Sequence, residues 1–381
     1  MVERSLGRTT LRSVHLCLTS PPGRPLADAA RALFAELAGS LSARGVAPFQ
    51  EKVWAPLPAM AELEAIRAEV FAGAGLDPGT PVTWLSGRAD EALGVVGLQC
   101  WGLAGDDGVA PPVRTVHHAG VAGRLCETPE GRLLHLAAVS GAPARSEVGG
   151  GLEAEAGRMF ARAEAALRAQ GMGFDRVVRT WIHLERLLDW YGAFNKVRTQ
   201  FLAERGITGG DEAPYPASTG IQGTAGFGDC VMDLCAVEGF EARPIHATSR
   251  QKRPLAYGSS FSRGTTLDLG GERHVLVSGT ASIDGAGRTL HTASREAQVL
   301  ETLLSVAALL DDQGAGLADL VQGTLFCKDR ETLQVHERLV RQLGLPRLPL
   351  VPVLADVCRP ELFVEVEAVA NVPAGRPEEE A

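Results

Sequence analysis

The chain has little of what marks a nucleic-acid or membrane protein. Only four of its 37 basic residues are Lys, acidic residues number 46, and the formal net charge is −9. Nucleic-acid binding favours a strongly basic surface, so we expect no nucleic-acid partner. No apolar run approaches the roughly 18 residues that a membrane-spanning helix needs. The first ten residues are polar and lack the apolar centre of a secretion signal, so we expect a cytoplasmic protein without membrane contact.

Several motifs of metal, phosphate and nucleophilic sites are also missing. The seven Cys are scattered, with neither CxxC nor a zinc-like His/Cys spacing, and the nearest pair, Cys230 and Cys235, is more typical of a strand core. No phosphate loop or dinucleotide motif stands between a strand and a helix, and no GxSxG elbow occurs. We therefore expect no metal site, no phosphate loop and no serine nucleophile.

The chain instead contains a unit that occurs three times. Each unit opens with an amphipathic helix that runs to a glycine, which is typical of a left-handed helix end. A short apolar strand, a second helix and closing strands follow. The first helices are predicted at Asp28–Leu41, Glu153–Leu167 and Arg295–Leu310, and their glycines are Gly45, Gly171 and Gly314. This order predicts an α+β fold, with mixed sheets that carry helices on one face.

The repeat divides the chain into three predicted modules. They span residues 1–110, 111–245 and 246–381, and the last ends in a short acidic tail. A unit of this size usually needs partners to cover the other face of its sheet. Three linked copies supply those partners within one chain. We therefore expect a monomer with pseudo-threefold symmetry and with pockets at the seams between modules.

Two carboxylates lie in the last predicted strand, Leu362–Ala370. Glu365 and Glu367 share one face of this strand, between apolar neighbours. The strand is either half-exposed with a solvated acidic face, or it holds a carboxylic acid in a pocket, with a raised pKa and a proton to donate. Cys358, just before this strand, is either a small core residue or a lining of the same cavity.

Two arginines occupy matching positions when the second helices are aligned by their apolar pattern. Arg198 and Arg338 are either exposed helical residues or bidentate ligands of a carboxylate, and two of them suit a dianion. Three segments rich in small residues are either plain turns and strand starts or sets of backbone and hydroxyl donors that face a ligand. These segments are 215–223, 258–264 and 277–282.

Sets of residues in the second and third units resemble two related families. The segments 259–262, 277–279 and 364–370 resemble the RidA (YjgF) family, which forms homotrimers with ligand sites at the subunit seams. The segments 179–181, 194–198, 216–221 and 365–367 together resemble the chorismatase family. Chorismatases use RidA-like modules, with a chorismate-mutase-like fold, as an internal pseudotrimer. The resemblance covers roughly residues 115–371, which leaves the first module as a scaffold.

The resemblance implies an activity and roles for particular residues. Chorismatases hydrolyse or eliminate the enolpyruvyl group of chorismate, their small-molecule substrate, and require no metal or organic cofactor. Glu365 matches the family's catalytic acid, and Arg338 matches an arginine that holds a substrate carboxylate. The further substrate-binding positions implied are Tyr191, Arg198, Thr219 and Phe261. The segment 253–257 is expected at the pocket entrance.

Two positions separate the product branches of the family. Ala at both accompanies a dihydroxycyclohexadiene carboxylate product, whereas Gly and Cys accompany 3-hydroxybenzoate. Gly279 and Cys358 therefore imply a 3-hydroxybenzoate synthase that releases pyruvate, with Cys358 in the catalytic rearrangement. Family analogy implies a role in secondary metabolism.

Three alternatives stay open at this point. The first is another chorismatase product, and the second is a RidA-like imine hydrolase. The third is a ligand-binding protein without catalysis. RidA enzymes hold the substrate carboxylate with an arginine near the turn before the last strand. Ser218 stands at the corresponding place of the second unit, which disfavours imine hydrolysis.

Overall fold

The computed structural model describes residues 11–88, 93–105, 110–142, 150–209 and 213–374. Within these residues the chain forms sixteen strands in three mixed sheets, together with six α-helices. The predicted α+β class and the threefold repeat are confirmed. No helix in these described ranges combines the length and the apolar character needed to cross a bilayer.

The first sheet has the strand order β1-β4-β2-β3, and helices α1 and α2 cover one face. Strands β2 and β3 run parallel, and the other neighbours run antiparallel. The bounds are β1 Leu11–Thr19, α1 Leu26–Ala43, β2 Ala47–Trp54, α2 Met60–Gly73, β3 Thr83–Leu85 and β4 Gly97–Gly105.

The second sheet has six strands in the order β5-β6-β7-β10-β8-β9, with α3 and α4 on one face. The parallel pair is β8 and β9, which α4 connects. The bounds are β5 Val113–His118, β6 Val121–Glu127, β7 Arg132–Ser140, α3 Gly151–Ala169, β8 Val177–Leu184, α4 Leu187–Ala203, β9 Ala217–Gln222 and β10 Cys230–Glu238.

The third sheet repeats this order as β11-β12-β13-β16-β14-β15, with α5 and α6 on one face. The parallel pair is β14 and β15. The bounds are β11 Ala242–Ile245, β12 Gly264–Leu269, β13 Glu272–Ala281, α5 Arg295–Asp311, β14 Leu320–Cys327, α6 Arg330–Gln342, β15 Leu350–Leu354 and β16 Val364–Pro373.

The first helix of each unit ends as the sequence predicts. Gly45, Gly171 and Gly314 have φ values of 59°, 73° and 70°. A side chain in this left-handed region is strained, and glycine is not, so each glycine ends its helix without strain. In the first unit β2 begins two residues after Gly45, whereas in the second and third units a 3-10 turn, Phe174–Arg176 or Leu317–Asp319, leads into the strand.

The units differ at their outer edges. In the part of the chain that the structure describes, the first sheet has four strands and the other two have six. The antiparallel pairs β5–β6 and β11–β12 extend the second and third sheets, and the described residues of the first module contain no counterpart of them. The third sheet begins at Ala242, shortly before residue 246. The module limits 1–110, 111–245 and 246–381 stay a prediction.

The three sheets pack against one another through the faces that the helices leave open. A buried cluster at this centre draws from all three sheets and includes Leu11, Trp101, Trp181, Cys235 and Leu276. Each sheet thus buries one face under its own helices and the other against its neighbours. This packing places the ends of the central strands at the seams between modules.

Candidate active site

A cavity of about 220 Å³ lies at the seam between the second and third modules. The second module contributes residues of α4 and β9. The third contributes β13, β16, the segment 257–263 and the loop before β16. The chemically active side chains in its lining are Tyr191, Arg198, Arg263, Cys358, Arg359 and Glu365.

Glu365 and Glu367 are buried, with only 4% and 3% of their surface exposed. The interpretation of a solvated acidic face is therefore wrong. Strand β16 lies between β13 and β14 at the centre of its sheet, and its inner face is covered by the neighbouring modules. The two carboxylates have different surroundings, which give them different charges.

Glu367 is held as a carboxylate by groups from all three modules. It accepts hydrogen bonds from Arg179 Nη2 at 2.9 Å and from Thr324 Oγ1 at 2.9 Å. Lys52 Nζ lies 3.8 Å from its Oε1. Burial alone would raise the pKa of Glu367, but Lys52 and Arg179 bring it below its usual value.

The surroundings of Glu365 favour its protonated form. Burial, and next the negative charge of Glu367, raise the pKa of Glu365 to about 8, against the opposing effect of Arg179, Arg263 and Arg359. A general acid is most effective when its pKa lies near the working pH. The carboxyl faces the cavity, so it can pass its proton to a bound molecule.

Gly279 leaves the space that the Glu365 carboxyl occupies. The register of β13 against β16 shifts between Val277 and Thr280, which places Gly279 in a β-bulge. A Cβ on Gly279 would overlap Glu365 Oε1 and touch the methyl of Thr219. Any larger residue here must move the carboxyl of the acid.

Arg198 is an unsatisfied cation in the cavity wall. It is 3% exposed, and its Nη2 donates to Asn195 Oδ1 at 2.8 Å. Its Nε is buried without a hydrogen-bond partner, and the guanidinium lies 5.5 Å from the ring centroid of Phe261. A buried guanidinium with a free donor is suited to an incoming carboxylate.

Arg263 and Arg359 add two more cations to the same cavity. Arg263 is 2% exposed, and its Nε and Nη2 donate to the carbonyl of Lys252 at 3.0 and 2.9 Å. Tyr257 lies against both guanidinium groups. Three arginines that line one cavity with Glu365 are suited in charge to a small molecule with two carboxylates.

Cys358 and Tyr191 are neutral in this cavity. Burial raises the pKa of the Cys358 thiol to about 12, so the sulfur stays protonated at neutral pH. Burial likewise raises the pKa of Tyr191 above its usual value. Neither group is a base in this state. They shape the cavity, and as neutral groups each can donate a hydrogen bond to a bound molecule.

Thr219 lies behind the cavity and not in its lining. The side chain is fully buried, and its Oγ1 accepts from Arg179 Nη2 at 2.7 Å. It therefore connects β9 to the arginine that holds Glu367. The sequence placed Thr219 among the substrate-binding residues, and the structure gives it a supporting position instead.

Arg338 does not join the site, so its expected role as a substrate ligand is corrected. It lies on the exposed face of α6 and pairs with Glu296 at 2.6 Å, with 45% of its side chain exposed. A two-residue loop separates strand from helix in both modules, after Leu184 and after Cys327. Counting from these strand ends, Arg338 is the counterpart of Asn195. The sequence alignment of α4 with α6 was therefore shifted by about one helical turn, which paired Arg338 with Arg198 instead of Asn195.

The structure adds cavity residues that the sequence did not assign. Arg359 precedes β16 in the turn, and Arg263 ends the segment that carries Phe261. In the sequence, Arg359 follows Cys358 and Arg263 lies two residues after Phe261, and this proximity to assigned residues could have indicated both arginines. Arg359 also stands near the turn before the last strand, so Ser218 no longer weighs against imine hydrolysis.

The equivalent positions of the other modules lack the acid. In β16, Glu365 lies opposite Phe326, whereas the corresponding pairs are Val231 opposite His183 and Gly97 opposite Trp54. Among the described residues, only the third module has a carboxylate at this register. One chain thus holds one such site. The described residues also contain no group of three or more His, Cys, Asp or Glu arranged for a metal ion.

Comparison with known proteins gives matches to about a third of the chain and a match along nearly all of it. No family model matches the sequence. A YjgF family member from Neisseria meningitidis matches 34% of this chain and 93% of its own, with 17% identity and a TM-score of 0.26. A Rid family protein from Yersinia pestis matches 29% and 87%, with 21% identity and a TM-score of 0.26.

A further match extends along nearly the whole chain. The crystal structure of a chorismatase covers 94% of this chain and 98% of its own, with a TM-score of 0.63 and 20% identity. The chain therefore has the chorismatase fold. This match is longer than the predicted resemblance over residues 115–371, so the first module is part of the shared fold.

Proposed function

We propose that this protein is a chorismatase that converts chorismate into 3-hydroxybenzoate and pyruvate. The observation that carries the proposal is a buried Glu365, with its pKa raised to about 8, that faces Arg198, Arg263 and Arg359 across one seam cavity. The fold shared with a chorismatase supports it. Chorismate is a dianion with an acid-labile enol ether, so it needs both cations and an acid.

The first step is proton donation to carbon. Glu365 gives its proton to the terminal methylene of the enolpyruvyl group, which leaves an oxocarbenium ion. A carboxylic acid does this at neutral pH only when its pKa is raised, as it is here by burial and by Glu367. The arginines hold the two substrate carboxylates, so that the methylene meets the acid in a reactive orientation.

The second step is internal displacement. The C4 hydroxyl oxygen of the ring forms a bond to C3 as the bond from C3 to the pyruvyl oxygen breaks. The hydroxyl proton returns to the Glu365 carboxylate, and pyruvate leaves. The arene-oxide-like ring species then opens and loses a proton as it aromatises to 3-hydroxybenzoate. Chorismate has the atoms of both products, so no net water is consumed. Cys358, a neutral thiol in the lining, shapes the space for this rearrangement.

Product identification tests the proposal. The purified chain is incubated with chorismate, and the products are separated by chromatography and identified by mass. We expect 3-hydroxybenzoate and pyruvate in equal amounts. The dihydroxycyclohexadiene carboxylate as the main product would retain the enzyme class and contradict the branch. Unchanged chorismate would contradict the proposal.

A double substitution tests the branch. Gly279→Ala forces the Glu365 carboxyl to move, and Cys358→Ala removes the thiol that shapes the ring space. We expect Gly279→Ala/Cys358→Ala to shift the main product to the dihydroxycyclohexadiene carboxylate, with pyruvate still released. The ratio of the aromatic product to the diene product measures the effect. Cys327→Ala, in the buried core of the same module, is the matched control. An unchanged ratio in the double variant would contradict the branch assignment.

The activity should depend on pH through the acid. The protonated form of Glu365 is the active one, and its pKa is about 8. The turnover number should therefore be constant at lower pH and fall as the pH rises through about 8. Steady-state kinetics across this range measures the profile. A turnover number that rises through pH 8 would show that a base, not this acid, limits the reaction.

One observation favours a second candidate function. Arg359 stands in the turn before β16 and lines the cavity with Glu365, the place where RidA enzymes hold a substrate carboxylate. A hydrolase of small α-imino acids would need only Arg359, to bind the substrate carboxylate, and Glu365, for proton transfer. Parallel assays with chorismate and with a freshly generated α-imino acid separate the candidates, because an imine hydrolase would leave chorismate unchanged.

A further inference from the structure

The strongest unassigned feature is a buried charged cluster beneath the cavity. Lys52 comes from the first module, Arg179 from the second and Glu367 from the third. We propose that Lys52 and Arg179 are positioning residues, which fix Glu367 as a carboxylate beside Glu365 and thereby keep the proton on Glu365. This inference rests on the proposed role of Glu365 as the acid.

Lys52 is placed for this role by its burial and its partner. It is 2% exposed, and its Nζ lies 3.8 Å from Glu367 Oε1 and 4.9 Å from the ring centroid of Trp181. A lysine is almost never fully buried unless it is paired. Burial lowers the pKa of Lys52, and the charges of Glu367 and Asp233 oppose that shift. The first module thus contributes a buried cation, Lys52, to the contact with Glu367.

Arg179 holds Glu367 through its other carboxylate oxygen. It is 1% exposed, and Nη2 reaches both Glu367 Oε2 at 2.9 Å and Thr219 Oγ1 at 2.7 Å. Its guanidinium lies 4.8 Å from the same Trp181 ring that Lys52 contacts. The Trp181 ring therefore makes a cation–π contact with both Lys52 and Arg179.

The cluster holds a second carboxylate besides Glu367. Asp233 accepts from Thr83 Oγ1 at 2.7 Å and lies 3.5 Å from His135 Nε2. Burial, with the charge of Lys52, lowers the pKa of the adjacent His183 to about 3, so this ring is neutral. Lys52 and Arg179 thus have carboxylate partners other than Glu365. An ionised Glu365 would place a second negative charge beside Glu367 in a buried region.

The cavity side of Glu365 carries the remaining charged and titratable groups. Arg263 and Arg359, like Arg179 in the inner cluster, oppose the retention of its proton, whereas the Cys358 thiol and the Tyr191 hydroxyl are neutral. Burial and the charge of Glu367 outweigh these cations and raise the pKa of Glu365 to about 8. The carboxylate of Glu367, which Lys52 and Arg179 hold, therefore helps to keep the proton on the acid. The first module is accordingly more than a scaffold.

The charge count gives a test that needs no substrate. Protonated carboxyl groups are counted by their infrared C=O stretch at pH 7, and the Glu365→Gln difference spectrum assigns the Glu365 band. The unmodified protein should show that one buried band. Glu367→Gln leaves two cations against one carboxylate, so Glu365 should ionise and its band should vanish. Lys52→Met removes a cation beside Glu367, so Glu367 should compete for the proton, and the Glu365 band should lose intensity to a second band assigned to Glu367.

Two control variants distinguish an effect of the buried charge from an effect of the substitution on folding. Lys52→Arg keeps the cation and should retain the single band, and Lys196→Met removes an exposed lysine and should do the same. The pH at half intensity in Glu367→Gln should fall by at least about one unit. Folded variants with one unchanged band each would overturn the inference. If the bands shift while chorismate is not consumed, the cluster acts as proposed and only the function fails.

Discussion

Replacing Glu365 by Gln should lower the turnover number on chorismate by roughly 10²- to 10⁴-fold, the usual contribution of a general acid. The amide has nearly the same shape as the carboxylic acid but cannot transfer a proton to carbon. Steady-state release of pyruvate measures the loss. Glu361→Gln is the matched control, since that carboxylate lies four residues earlier and is exposed. Its activity should equal that of the unmodified protein.

A binding measurement distinguishes loss of the acid, which leaves the affinity for chorismate unchanged, from damage to the cavity, which lowers that affinity. Glu365→Gln should bind chorismate with a dissociation constant close to the Michaelis constant of the unmodified protein, measured by calorimetry. The Arg side chains that hold the substrate are untouched. Retained turnover in a folded Glu365→Gln protein would show that this carboxyl is not the acid.

Replacing Arg198 by Met should raise the Michaelis constant for chorismate by about 10- to 100-fold, because a hydrogen-bonded charge contact contributes about 1.5–3 kcal/mol. The variant removes the buried Nε that has no partner in the structure. The turnover number should fall less, since the acid stays in place. Kinetics over a wide substrate range separates the two constants.

Arg338→Met is the matched control for this experiment. The apolar pattern of the sequence made Arg338 the counterpart of Arg198, whereas the structure places it on the surface, paired with Glu296. The Michaelis constant of the Arg338→Met variant for chorismate should equal that of the unmodified protein. Equal losses in the two variants would contradict the assigned location of the carboxylate site.

The sequence predicts the fold well because its signals are local. The glycines that end α1, α3 and α5, such as Gly171, mark each unit, and the alternation around Glu365 marks the last strand. The burial of Glu365 could not be read from that alternation. It depends on the central place of β16 in its sheet, which follows from strand order and from the packing of neighbouring modules.

The remaining parts of the site depend on contacts between distant segments. Lys52 and Glu367 come from opposite ends of the chain, so no spacing rule connects them. Arg338 was misplaced because α6 is short and has few buried apolar residues, which permits a slip of one turn. Arg263 and Arg359 adjoin residues that the sequence did single out, and only the closed seam shows that both face the same cavity.

A crystal structure of the Glu365→Gln variant with chorismate would test the central claim most directly. The account predicts the ring in the seam cavity, with a carboxylate on the Arg198 guanidinium and the enolpyruvyl methylene against the side-chain amide that replaces the acid. A molecule bound elsewhere, or one that turns its methylene away from that amide and leaves the arginines free, would contradict the account.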